Sequence, residues 1–112
     1  MEYKIKSRIW IEADDNVLLG EGRVRLLKAI DEKGSLSKAA KSINLSYKKA
    51  WTLIDAVNKS AKKPVTESNI GGKGGGGAKL TNYGKKLIEA FDDINKNCWS
   101  HLDQQIEKIN SL

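Results

Sequence analysis

The sequence predicts a mainly helical α+β fold, and three observations predict it. Residues 39–57, AAKSINLSYKKAWTLIDAV, place two helical patterns around a tight turn. Residues 65–80 read as strand, glycine stretch, strand. From Tyr83 onward one apolar stripe (Leu87, Phe91, Ile94, Cys98, Leu102, Ile106, Ile109) recurs in steps of three or four, the period of a single long helix. The 112 residues suffice for one small domain with a modest core. With 39% hydrophobic and 30% charged residues the chain reads as neither disordered nor membrane-spanning.

The elements follow in order. Residues 5–12, IKSRIWIE, put Ile5, Ile9 and Ile11 on one side at period two, Asp14-Asp15-Asn16 is a turn cluster, and Val17-Leu18-Leu19 returns. This is an N-terminal hairpin over residues 1–19. Trp10 falls on the face opposite the isoleucines, so that face is expected to be covered. Gly20 and Gly22 break the chain. Val24, Leu27 and Ile30 then mark a first helix that Gly34 ends. Ser35 or Ser37 caps a second helix of about two turns. Asn44, one of the few non-glycine types that enters left-handed backbone angles readily, sits in the turn. Ser46 caps the third helix, YKKAWTLIDAVNKS. These three helices form a core over residues 20–60. Pro64 separates them from VTESNI, which pairs with Ala78-Lys79-Leu80 across residues 65–80. Thr81 caps the last helix, residues 81–110. So small a body cannot cover the whole stripe of that helix, and the natural cover is the same stripe of a second copy. No internal repeat is present, and residues 1–112 read as one domain.

Charge narrows the function. Net charge is +6, but residues 33–79 alone carry ten lysines against two acids, Asp55 and Glu67, which is +8. From Asn82 to the end the balance is −1. A basic block followed by a near-neutral helix points to a polyanion-binding face with a separate structural element. Cys98 and His101 are the only cysteine and histidine. No internal disulfide or cysteine-based zinc finger is therefore possible, and no metal site or cofactor is expected. No paired carboxylates in a cleft pattern, nucleophile–base pair or cofactor motif is present, so an enzyme is not expected. The N-terminus lacks the apolar stretch of a signal peptide and no transmembrane run occurs, so a cytoplasmic protein without membrane partners is expected.

In the helix pair, Ala40 is small where two helices cross, Ile43 and Leu45 bracket the turn, and Ala50, Ile54 and Val57 face inward. Tyr47, Lys48, Trp51, Thr52 and Asp55 remain on the outer face, starting at the helix end that enters the major groove in helix-turn-helix proteins. With a strand–glycine–strand unit behind it, the pattern becomes a winged helix-turn-helix. Six of the ten glycines lie in residues 71–77. As a wing tip, Gly74, Gly75 and Gly76 supply positive backbone angles and a surface bare enough to lie on a sugar–phosphate backbone, with Lys73 and Lys79 as cations. A flexible linker is the other reading of this stretch. A phosphate-binding enzyme loop fails, because Leu80 follows Lys79 and the Gly84-Lys85 pair lacks the earlier glycine and the hydroxyl. Trp51 either stacks on a base or sugar or packs against the wing or a neighbouring helix.

The segments GSLSKAAKSINLSYKKAWTLIDAVN and GGKGGGGAKLTNYGKKLI resemble the N-terminal DNA-binding domain of the ModE-type molybdate-responsive regulators, relatives of the LysR class. The resemblance covers roughly residues 20–95, and the N-terminal hairpin also suits single-domain members. It implies a bacterial-type, sequence-specific transcriptional regulator. It further implies a homodimer held by its long helices, with paired recognition helices on a palindromic operator in double-stranded DNA. Carried across, Ser46, Tyr47, Lys48, Lys49, Trp51 and Thr52 are the recognition-helix residues and residues 71–77 the wing. Leu87, Phe91, Ile94, Cys98, Leu102 and Ile106 are the expected dimer interface. Family members also carry C-terminal oxyanion-binding domains that sense molybdate. The 112 residues hold none, so a stand-alone domain with no direct response to molybdate or tungstate is expected. The alternative is a winged-helix module for protein assembly, with weak or absent DNA binding. The basic block and the side chains at the start of the third helix favour the regulator.

Overall fold

The computed structural model describes residues 1–69 and 77–112. It is an α+β winged-helix fold with two antiparallel hairpins and a long C-terminal helix. The first hairpin pairs β1 (Trp10–Ala13) with β2 (Asn16–Gly20). Its two-residue turn needs the mirror-image backbone, and Asp14 (φ 48°) and Asp15 (φ 67°) supply it. Ile11 faces Leu19 but Glu12 faces Val17, so Leu18 is an extra residue on β2. That bulge lets consecutive residues turn inward: Leu19 is fully buried and Leu18 packs against the core.

The expected first strand, residues 5–12, is corrected at its start, while its expected partner, residues 17–19, lies within β2. β2 is five residues long and offers no pairing before Trp10, so the preceding residues form an arm along the last helix. The Asn110 carboxamide accepts from Tyr3 N–H at 2.8 Å and donates to Tyr3 C=O at 3.1 Å. Ser7 Oγ lies 3.7 Å from Cys98 Sγ. Ile5, Ile9 and Ile11 are half-buried while Lys4, Lys6, Arg8 and Trp10 are exposed, so the period-two face was right. Trp10 is 59% exposed, contrary to expectation. Among the described residues nothing covers the ribbon on that side, and the indole N–H donates to Glu12 at 3.1 Å.

Three helices follow: α1 (Glu21–Lys33), α2 (Leu36–Ser42) and α3 (Tyr47–Ser60). Gly22, read as a break, lies inside the first turn of α1. Gly34 closes α1 in the left-handed region (φ 72°), its N–H donating to Ile30 C=O at 2.9 Å. Ser35 caps α2 by accepting from Lys38 N–H at 3.0 Å. Leu26, Leu27 and Ile30 of α1, Ala39 and Ala40 of α2, and Ala50 and Val57 of α3 form the centre of the core.

The second hairpin pairs β3 (Thr66–Asn69) with β4 (Gly77–Leu80). Residues 70–76, with Lys73, Gly74, Gly75 and Gly76, lie outside the described residues. Three sets of hydrogen bonds fix the hairpin's base. Asn58 of α3 accepts at Oδ1 from Val65 N–H (2.7 Å) and Thr66 N–H (3.3 Å) and donates to Thr66 Oγ1 (3.0 Å). Ala78 N–H donates to Gly34 C=O at 3.0 Å, tying β4 to the end of α1. Thr81 donates from Oγ1 to Pro64 C=O at 2.7 Å and accepts from Gly84 N–H at 2.9 Å, so one hydroxyl both caps the next helix and holds the wing base.

That helix, α4 (Asn82–Gln105), is followed after Ile106 by α5 (Glu107–Asn110), so the expected single helix is divided near its end. Gly84 passes so close to Val65 that any Cβ would overlap the Val65 carbonyl oxygen. The apolar stripe also divides. Phe91 belongs to the core at 4% exposure and Ile106 is 8% exposed, while Ile94 and Ile109 are about half exposed. Ile88, off the stripe, is buried. Phe91 is covered by the core itself, while the arm meets the helical segment at Cys98 and at Asn110.

Candidate nucleic-acid interface

The turn between α2 and α3 presents the candidate face. After α2, Leu45 N–H reaches back to Ala40 C=O at 2.9 Å, and Asn44 between them takes the left-handed angle (φ 58°). The chain thus reverses within a few residues, and half-buried Ile43 and Leu45 anchor the turn to the core. Ser46 then caps α3, its Oγ accepting from Lys49 N–H at 3.1 Å. Its oxygen is therefore committed to the helix, and the hydroxyl proton is what remains for an outside acceptor.

Ala50, Ile54 and Val57 pin one face of α3 to the core, as the spacing predicts. The opposite face is open. Tyr47 is 57% exposed and Trp51, one turn later, 54%. Among the described residues no neighbouring helix buries Trp51, and the tip of the wing, its other expected packing partner, lies outside them. Lys48, Lys49 and Thr52 are exposed beside Tyr47 and Trp51. Thr52 Oγ1 donates to Lys48 C=O at 2.9 Å, which fixes its rotamer and leaves its lone pairs outward.

The cations divide into two groups. Lys59 pairs with Asp55 at 2.8 Å and Lys79 with Glu67 at 3.5 Å, its partner in the strand register. Among the described residues, Lys38, Lys41, Lys48, Lys49, Lys62 and Lys63 have no ion pair. Four of these six, on α2 and just after α3, were visible in the sequence only as part of a charge total. Their freedom is a property of the fold. Lys79 is exposed as expected but shares its charge. Lys73, Gly74, Gly75 and Gly76 were assigned to the same face and lie outside the described residues.

The expected dimer residues share one stripe but differ in burial, and Ile106, just after α4, is 8% exposed. Leu87 packs against the core and Phe91 lies within it; Cys98 and Leu102 are half-buried; Ile94 is open. Trp99, 36% exposed, borders a cavity of about 160 Å³ with Ser7, Arg8, Ile9 and Phe91. Among the described residues no group of three or more His, Cys, Asp or Glu is placed to hold a metal ion, and no helix is long and apolar enough to cross a membrane.

Comparison with known proteins gives relatives named ModE and, at 49% identity over 76 residues, a molybdenum-pterin-binding protein MopB of Rhodobacter capsulatus. The chain is 37% identical over 106 residues, 95% of its length, to a molybdenum transport protein ModE of Azotobacter vinelandii. It is 43% identical over 86 residues, 77% of its length, to a transcriptional regulator ModE of Haemophilus influenzae. It is 47% identical over 70 residues, 62% of its length, to a DNA-binding transcriptional dual regulator ModE of Escherichia coli K12. The matches span 39%, 34% and 27% of these three relatives, so the chain corresponds to well under half of each. No family model matches.

Proposed function

Over the portion it shares with them the chain is a ModE-type sequence, and from that premise we propose that it is a sequence-specific DNA-binding regulator of transcription. The observation that carries the proposal is the open face at the start of α3, with Tyr47 and Trp51 bare beside unpaired Lys48 and Lys49. A helix presented behind so tight a turn can enter the major groove by its first three turns. There its amide end and lysines meet phosphate, while Tyr47, Trp51 and Thr52 meet base edges and sugars. The wing, residues 65–80, follows the adjacent backbone, with Lys73 and Lys79 toward phosphate and the glycines at the tip.

The chain acts as a homodimer on a palindromic operator. Ile94 and Ile109 are the exposed apolar groups that a second copy covers, with Leu87, Cys98 and Leu102 flanking them. Two α3 helices then address two half-sites related by the same two-fold axis. Selection from a randomised duplex library, followed by affinity measurement on the enriched and on random duplexes, tests this reading. A palindromic enriched site, bound at least about a thousandfold more tightly than random DNA, is the expected result. Equal affinity for every duplex returns the fold to the protein-assembly role.

A further inference from the structure

Asp55 lies where a surface turned toward phosphate gains nothing from a carboxylate. Residues 33–79 contain only two acids among the lysines that give the block its charge, Glu67 and Asp55. Glu67 sits on the wing opposite Lys79. Asp55 is on α3 itself, four residues beyond Trp51 and three beyond Thr52, which extends their face by one turn. Its side chain is 35% exposed, and its Oδ2 lies 2.8 Å from the Nζ of Lys59, whose own side chain is 77% exposed.

An ion pair at this spacing is a common surface feature and contributes little in water. Beside a polyanion, however, the carboxylate opposes binding to every sequence alike. A carboxylate in the major groove has one specific use. It accepts from the exocyclic amine of cytosine, and it is repelled by the acceptor edges of guanine and thymine. The Lys59 pair holds the group by one oxygen and leaves Oδ1 for an outside donor.

Resting on the reading that α3 enters the major groove, we propose that Asp55 is a specificity-determining residue that selects cytosine through its N4 amine, with Lys59 as its positioning residue. The carboxylate gives up general affinity for discrimination at one base pair in each half-site.

The test is library selection with wild type, Asp55→Asn, Asp55→Ala and Lys59→Ala, with thermal unfolding measured for each. The wild type is expected to enrich cytosine at one position per half-site. Asp55→Asn should move that position toward adenine, whose N6/N7 edge a carboxamide matches. Asp55→Ala should reduce the preference for cytosine there by about tenfold and bind random DNA more tightly. Lys59→Ala should blur the same position only. If Asp55→Asn and Asp55→Ala enrich the wild-type site unchanged, Asp55 and Lys59 are a helix-surface pair, and the assignment is overturned while the regulator reading stands. A wild type that enriches no site overturns both, and the two failures are thereby distinguished.

Discussion

At Gly84 a hydrogen stands where any other residue would press a carbon onto the Val65 carbonyl oxygen. That oxygen also accepts from Thr81 N–H at 3.0 Å, so it cannot retreat without loosening the wing base. Gly84→Ala is expected to cost about 2 kcal/mol or more, as overpacking does, and to lower the melting temperature by roughly 10 °C. Gly22→Ala is its counterpart. Nothing lies within 4 Å of the added carbon, and alanine favours a helix, so the change should stabilise by about 0.5–1 kcal/mol. Circular dichroism melts of the two variants check both, and a neutral Gly84→Ala would deny the close approach. The two glycines look alike in the sequence. Gly22 read as a break and Gly84 only as part of a failed phosphate-loop match, because what distinguishes them is a carbonyl roughly twenty residues away from one of them. Ser46 and Thr81 were legible as caps, and Ser35 as one of two candidates, because capping chemistry is decided within one helical turn.

The helix-turn-helix was readable for the same reason: Asn44, Ser46 and the apolar spacing of α3 all act over one or two turns. The wing strands were readable too, but not that their register sets Lys79 against Glu67, since register depends on a loop whose length gives no unique pairing. This affects what each cation adds to DNA binding. Removing one lysine from a phosphate should flatten the dependence of log K on log salt by about 0.9. Lys48→Ala or Lys49→Ala is expected to show that full change in at least one case. Lys79→Ala should show less, because Glu67 already shares its charge. Thr52→Ala should alter preference among operator variants by about 1 kcal/mol and leave the slope in place. Replacing Gly75 and Gly76 by Val should weaken binding with no change in charge. Salt titrations on specific and random duplexes measure all of these, and a full-sized slope change for Lys79→Ala would show that Glu67 releases it on binding.

The whole molecule is elongated, 63 × 29 × 22 Å, because α4 runs on past the body. The stripe made that length plain and offered a second chain as its cover. The arm was hidden, since nothing in residues 1–9 says which of two alternating faces meets a strand and which a helix at the far end of the chain. With the arm in place, the helix positions make different predictions. Ile94→Glu, at a site half exposed in one chain, should leave the single chain folded. It should weaken self-association by about 2 kcal/mol or more, roughly thirtyfold. Phe91→Glu should instead unfold the domain, because it buries a charge in the core. Sedimentation of Ile94→Glu as a wild-type dimer would move the interface to another flank.

The two bonds between Tyr3 and Asn110, 107 positions apart, close almost the whole chain into a ring. Closing so large a ring costs chain entropy, and two exposed hydrogen bonds return little until α4 and α5 are already built. The closure therefore follows the rate-limiting step of folding. Asn110→Ala should leave the refolding limb of a chevron superimposed on that of the wild type. The unfolding limb should rise by about fivefold for each kcal/mol removed. A refolding limb that slowed by the same factor would instead put the meeting of the chain's two ends inside the folding nucleus. In the expected case the arm acts as a latch on an already folded body, and the time that body stays folded depends on the bonds between Tyr3 and Asn110.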